Sequence, residues 1–144
     1  MSPEEAKKRA AIVAEARTWL RCPYHHLGDL KGVGTDCAML LVCTFRKVMP
    51  ELVPADFDPR PYAPEWYLHQ REEKYLNIIQ QFAKRTYQPR PGDISVYRFA
   101  RPVSHGAIIL NDELMIHANR ATGIVELCER RALADRLDSY WSVF

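Results

Sequence analysis

The sequence predicts an α+β domain, with helices first and an antiparallel sheet after them. Three observations carry this. Apolar residues recur at helical spacing early in the chain, as in Ile12, Val13, Ala16, Trp19 and Leu20. Beyond Pro91-Gly92-Asp93 the apolar period becomes two, in short runs bounded by turn residues. Helical runs followed by strand runs give segregated layers rather than a parallel sheet. No internal repeat is present, and 144 residues suffice for one domain with one core, so residues 1–144 are read as a single domain.

The first helix starts at Ser2-Pro3-Glu4-Glu5: Ser2 as N-cap, Pro3 at the first helical position, Glu5 closing a capping box. It is expected to end near Arg21, because Pro23 follows. Cys22 to Gly28 is irregular. Gly32 and Gly34 permit a turn, and Asp36 caps a second helix that begins at Cys37. That helix has few polar residues before Arg46 and Lys47, which suit its C-terminal dipole, and Pro50 stops it. Prolines 50, 54, 59, 61 and 64 make the next segment extended and semi-rigid, a candidate cleft wall. A third helix is expected over residues 65–84, with Leu68, Tyr75, Ile78, Ile79 and Phe82 on its apolar face. About five strands follow: from Ile94 to Phe99, His105 to Leu110, Leu114 to Ala118, Gly123 to Cys128, and Tyr140 to Phe144.

Cys37 opens a helix, where the positive dipole end and unpaired amides favour a thiolate and are expected to lower its pKa. Cys43, further along the same helix, has no such setting and reads as core. A thiolate nucleophile needs a base, and histidine titrates in the useful range. His105 and His117 lie on consecutive strands joined around Asn111-Asp112-Glu113. A three-residue loop pairs Leu110 with Leu114 and puts both histidines on one face as diagonal neighbours; a two-residue loop would separate them. The geometry thus allows a Cys–His–His triad in which Cys37 attacks, His105 moves the proton and His117 orients His105. The rival use of such residues is zinc, through Cys22, His25, His26 and Cys37, but their spacing is not that of paired zinc ligands. No metal and no cofactor is expected.

The ordered set Pro23-Tyr24, Asp36-Cys37, Pro91-Gly92-Asp93, Ser104-His105-Gly106 and Ile116-His117-Ala118 resembles the NlpC-type cysteine peptidases of the papain-like superfamily. Each motif alone is weak; the ordered set is specific and spans residues 10–128. The resemblance implies a papain-like fold with N-terminal helices packed on the sheet. It implies Cys37 as nucleophile, His105 as base and His117 as the polar third member. It also implies that Tyr24 faces the nucleophile and that Asp36, Ala38, Ser104 and Gly106 line the substrate side. The implied reaction is hydrolysis of peptide bonds in bacterial cell-wall stem peptides, commonly between γ-D-glutamate and a diamino acid. Two departures stand out. Ala38 and Met39 occupy the positions where the family reads Ser-Gly, so a subsite hydroxyl is lost and the side chain at 39 must find room. The segment from Pro54 to Lys84, with His69 in it, is longer than in minimal members and resembles the variant carried by phage tails and gene-transfer particles. Tail-tip proteins are therefore the expected partners.

Composition narrows the classes further. A formal net charge of +2 without a concentrated basic stripe gives no case for nucleic acid. Lys7-Lys8-Arg9 and Arg130-Arg131 read as solvated faces. The four cysteines read as free thiols rather than as a disulfide scaffold. No apolar run reaches the ~20 residues of a membrane span, and no signal peptide is evident. The chain is expected to be made in the cytoplasm and to reach the wall on a particle. Two other readings use the same residues: a thiol acyltransferase or amidase, and a catalytically silent tail component.

Overall fold

The computed structural model describes residues 1–62, 74–99 and 103–144. Helix α1 (Pro3–Arg17) begins as its sequence predicts, with Ser2 Oγ accepting from the Glu5 amide at 3.1 Å. Glu5 turns its carboxylate to Arg9 instead of back to the cap. α1 stops short of Arg21: Thr18 caps it, and the chain turns away with Arg21 at φ 72°. A short ribbon pairs β1 (Asp29–Leu30) with β2 (Gly34–Thr35). Helix α2 (Cys37–Val48) follows, and Asp36 Oδ1 accepts from the Met39 amide at 2.9 Å. Met39 and Leu40 have no exposed surface, so the side chain that departs from the family pattern at 39 is absorbed by the core.

The third helix is shorter than expected at its C-terminal end. α3 (Lys74–Gln80) closes in a turn where the amides of Phe82 and Ala83 donate to Ile79 O. Lys84–Thr86 then forms β3, an edge strand paired with β8 (Leu137–Ser142). The expected stretch from Glu65 to Glu73, His69 included, lies outside the described residues.

The main sheet adds β4 (Ile94–Arg98), β5 (Val103–Ile109), β6 (Leu114–Asn119) and β7 (Ile124–Glu129). Its order is β3-β8-β4-β5-β6-β7, with every pairing antiparallel. Among the described residues the sheet therefore has six strands rather than about five, and β3 is the addition. One face carries Val96, Ile108, Ile116 and Val125 into the main core against the helices. The other carries Tyr97, Ala107 and Met115, and packs Leu133 from the 3-10 helix Arg130–Arg136. The fold is thus α+β as the sequence predicts.

Arg9 corrects the reading of Lys7-Lys8-Arg9 as a solvated face. It is 6% exposed and donates from Nη1 to Asp93 Oδ1 at 2.7 Å and to Pro91 O at 3.0 Å. The turn at Pro91-Gly92-Asp93 is what brings a buried carboxylate to α1. The irregular segment after α1 is also structured. Arg21 N donates to Val125 O, Val125 N to Cys22 O and Tyr24 N to Gly123 O, so residues 21–24 run along the outer side of β7. Thr35 N donates to Pro23 O and His25 N to Thr35 O, which ties the same segment to the turn before Cys37.

Candidate active site

Cys37 lies at the start of α2, 7% exposed. Its thiol donates to Ser104 O, 3.6 Å away on β5. No hydrogen bond joins it to the His105 ring. The expected lowering of its pKa is reversed: burial pushes the thiol well above its ordinary value, and the neighbouring Asp36 carboxylate pushes the same way. The amides of Cys37 and Ala38 do act to lower it, as the helix start predicts, but burial outweighs them. At rest this is a neutral thiol.

His105 and His117 meet as the hairpin parity requires. The register Ile108↔Ile116 and Ile109↔Met115, with Leu110 N donating to Leu114 O, fixes the three-residue loop. His105 Nε2 lies 2.8 Å from His117 Nδ1. The pair shares the face of Tyr97 and Met115, and the His105 ring packs against Tyr97 and Phe99. α2 packs against the opposite face, and its first residue meets β5 at the carbonyl of Ser104, the residue before the base. The next link was not foreseen from the sequence. His117 Nε2 lies 3.3 Å from Glu126 Oε1, and Glu126 is its direct partner across β6 and β7. Strand pairing through the Gly123 turn was the signal that would have found it.

Burial pushes His105 down to about 3, with a further push from His117, although the residue as a whole is only half-buried. His117 is lowered as well, by burial, against the opposing pull of Glu126. The folded protein thus holds His105 neutral down to about pH 3, while the unfolded chain protonates it below about 6.5. The unfolded state takes up the extra proton, so stability falls as pH drops through that window. Melting temperatures measured between those limits are expected to decline, and His105→Gln is expected to flatten the decline.

Asp36 is the most heavily engaged group at the site. It is 2% exposed, and beyond capping α2 it accepts from the Leu27 amide at 2.9 Å and from the Tyr62 hydroxyl at 2.7 Å. His26 Nδ1 stands 3.8 Å away, edge-on to the Tyr62 ring. The expected cleft wall therefore closes over Asp36: Arg60 reaches Leu27 O, and Tyr62 the carboxylate. Tyr62 escaped the sequence reading because its role is set by how the proline-rich segment folds back, which no local spacing encodes.

The remaining expected site residues are placed as follows. Tyr24 is half-buried on the segment beside β7. Ser104 offers its carbonyl to the thiol. Ala38 turns its methyl to an apolar core gap of about 40 Å³, with Leu41, Val42 and Tyr75. The space beside Gly106, a residue expected to line the substrate side, is filled by the protein itself. Tyr75 crosses there to donate from its hydroxyl to Cys37 O at 3.0 Å. A Cβ at 106 would collide with that hydroxyl and sit 3.0 Å from Tyr75 Cε1. Gly106→Ala is expected to destabilise by about 1–3 kcal/mol, read by denaturant titration, because the ring has to move.

No family model matches the sequence, and no curated protein matches it either. Solved structures do match. The NlpC/p60 domain of the peptidoglycan hydrolase SagA aligns with a TM-score of 0.64 at 21% identity, over 93% of this chain and 97% of that one. NlpC2 from Trichomonas vaginalis aligns at 0.68 and 14% identity, over 94% of this chain and 47% of that one. The peptidoglycan hydrolase RipB from Mycobacterium tuberculosis aligns at 0.62 and 17% identity, over 100% of this chain and 69% of that one. The chain therefore spans nearly all of the first structure but under half of the second. At these identities the likeness shows a shared fold.

Proposed function

We propose that this chain is a cysteine peptidase that hydrolyses peptide bonds in bacterial cell-wall stem peptides, with Cys37, His105 and His117 as its triad. The observation that carries this is the His105–His117 pair on β5 and β6, with Cys37 at a helix start hydrogen-bonded to the residue before His105. The NlpC/p60 likeness of the fold supports the substrate class. In this reading the thiol leaves Ser104 O and passes its proton to His105 Nδ1, the ring nitrogen His117 does not use. The sulfur attacks the scissile carbonyl carbon, and the Cys37 and Ala38 amides face the charge that develops. His105 returns the proton to the departing amine, leaving a thioester. Water, deprotonated by His105, then releases the acid and regenerates the thiol. Tyr24, Asp36 and Ser104 shape the approach, and a bond between γ-D-glutamate and a diamino acid fits the resemblance. No cofactor or metal enters these steps. A phage-like tail tip is the proposed carrier, since a small domain makes few contacts with a short peptide and gains from being held against the wall.

One observation favours a second reading, a catalytically silent tail component: the thiol is buried, neutral and not bonded to His105. Digestion of purified cell wall, with mass spectrometry of the fragments, separates the two. The expected result is a new free amine on the diamino acid, unchanged by EDTA and abolished by iodoacetamide. New ends in the glycan strand would overturn the substrate bond. Absence of cleavage by both the free protein and the particle-borne form would establish the silent reading.

A further inference from the structure

We propose that Glu126 is a positioning residue that sets the tautomers of both histidines and so leaves the lone pair of His105 on Nδ1. This rests on the reading of Cys37 and His105 as nucleophile and base. Four side chains form one directional chain: His105 Nε2 to His117 Nδ1 at 2.8 Å, His117 Nε2 to Glu126 Oε1 at 3.3 Å, and Asn119 Nδ2 to Glu126 Oε1 at 2.7 Å. An ionised carboxylate only accepts. Burial raises the Glu126 pKa, but donors from Asn119, His117 and Thr122 hold it below the usual range, so it is ionised at neutral pH. His117 must then carry its proton on Nε2. Being neutral, it presents a lone pair at Nδ1. His105 must in turn donate from Nε2, which leaves its Nδ1 unprotonated.

That nitrogen is the one a general base needs free. With the chain reversed, His105 would carry its proton on Nδ1 and have no lone pair there to accept the thiol's proton. A wrong tautomer at an otherwise intact triad is among the most damaging changes such a site can suffer. Without a carboxylate at 126 nothing chemical distinguishes the two directions, because two neutral imidazoles bond equally well either way. Asn119 belongs to the turn that ends at Gly123, where Gly123 N donates to Asn119 O, and it holds Glu126 in place from β6. Glu126 is partly exposed, and an ordinary cross-strand ion pair is the plain alternative. The alternative requires no particular proton direction.

The test is imidazole ¹⁵N spectroscopy of the full chain and of Glu126→Gln, whose amide both donates and accepts, with the histidines assigned by single substitution. In the native protein His105 and His117 are each expected to be protonated at Nε2. In Glu126→Gln the Nδ1–H form of His117 is expected to appear. Wall cleavage is expected to lose roughly 10–100-fold in kcat with KM little changed, and Glu126→Asp to recover part of it. Native His117 protonated at Nδ1 overturns the proposal. So does a Glu126→Gln protein with native tautomers, whatever its rate, or one that changes KM alone. If Glu126→Gln does not fold, the native tautomers and Glu126→Asp decide. Should the native protein cleave no cell wall, the peptidase reading fails while the spectra still judge the proton direction.

Discussion

Cys37→Ala is expected to give a folded protein that cleaves no cell wall, with a loss of about 10⁴-fold or more, the scale seen when a covalent nucleophile is removed. The structural cost is small. The change removes one buried sulfur, comparable to a methylene at about 0.8 kcal/mol, and one long bond to Ser104 O. The Asp36 cap and the Tyr75 bond to Cys37 O use backbone or other side chains and survive. Activity and thermal melting measured on the same sample check both halves. Residual cleavage within about tenfold of the parent would remove Cys37 from the chemistry. A collapsed melting curve would mean that the residue serves the core.

The largest effect on stability is expected at Arg9, far from the thiol. Its guanidinium meets Glu5, Pro91 O, Asp93 and Ser142, and lies 4.5 Å over the Phe144 ring. Asp93 is 1% exposed. Arg9→Met leaves that carboxylate buried without its cation, a change that typically costs about 3–5 kcal/mol. For a chain of this length the melting temperature should fall by roughly 10 °C. Adding Asp93→Asn removes the stranded charge and should recover part of the loss. Equal melting of the single and double variants would show that packing, not charge, carries the effect.

Much of this was legible beforehand, and the reasons are local. Ser2 and Asp36 announced two helix starts, because capping is decided by a side chain and the next few amides. The loop 111–113 announced the His105–His117 pairing, because a strand's parity follows from loop length. What escaped depended on distant chain. Arg9 is polar and sits among lysines, yet a turn 82 residues later buries it. The direction of the Cys37 shift was misread because a helix start is visible in sequence and depth of burial is not. β3 has no apolar alternation of its own and exists because β8 offers an edge. Tyr62 reached Asp36 through a fold-back that no short-range pattern records.

The bonds from Arg21, Cys22 and Tyr24 to Gly123 and Val125 have a further consequence, for persistence. They are the backbone part of the seam between the segment before the thiol and the sheet; the rest is the core that α2 shares with β5 and β6. Proteins open in cooperative sub-global units, and units closed by few backbone bonds at the margin open at lower free energy than a central sheet. This seam has three such bonds, at an outer strand, whereas β4 is paired on both sides. A transient parting there would release Tyr24 and its neighbours while Cys37, on a helix buried against the sheet, and β4, β5 and β8 stayed in place. Local opening at this margin and loss of the fold are therefore separate events, and the first is expected at the lower free energy.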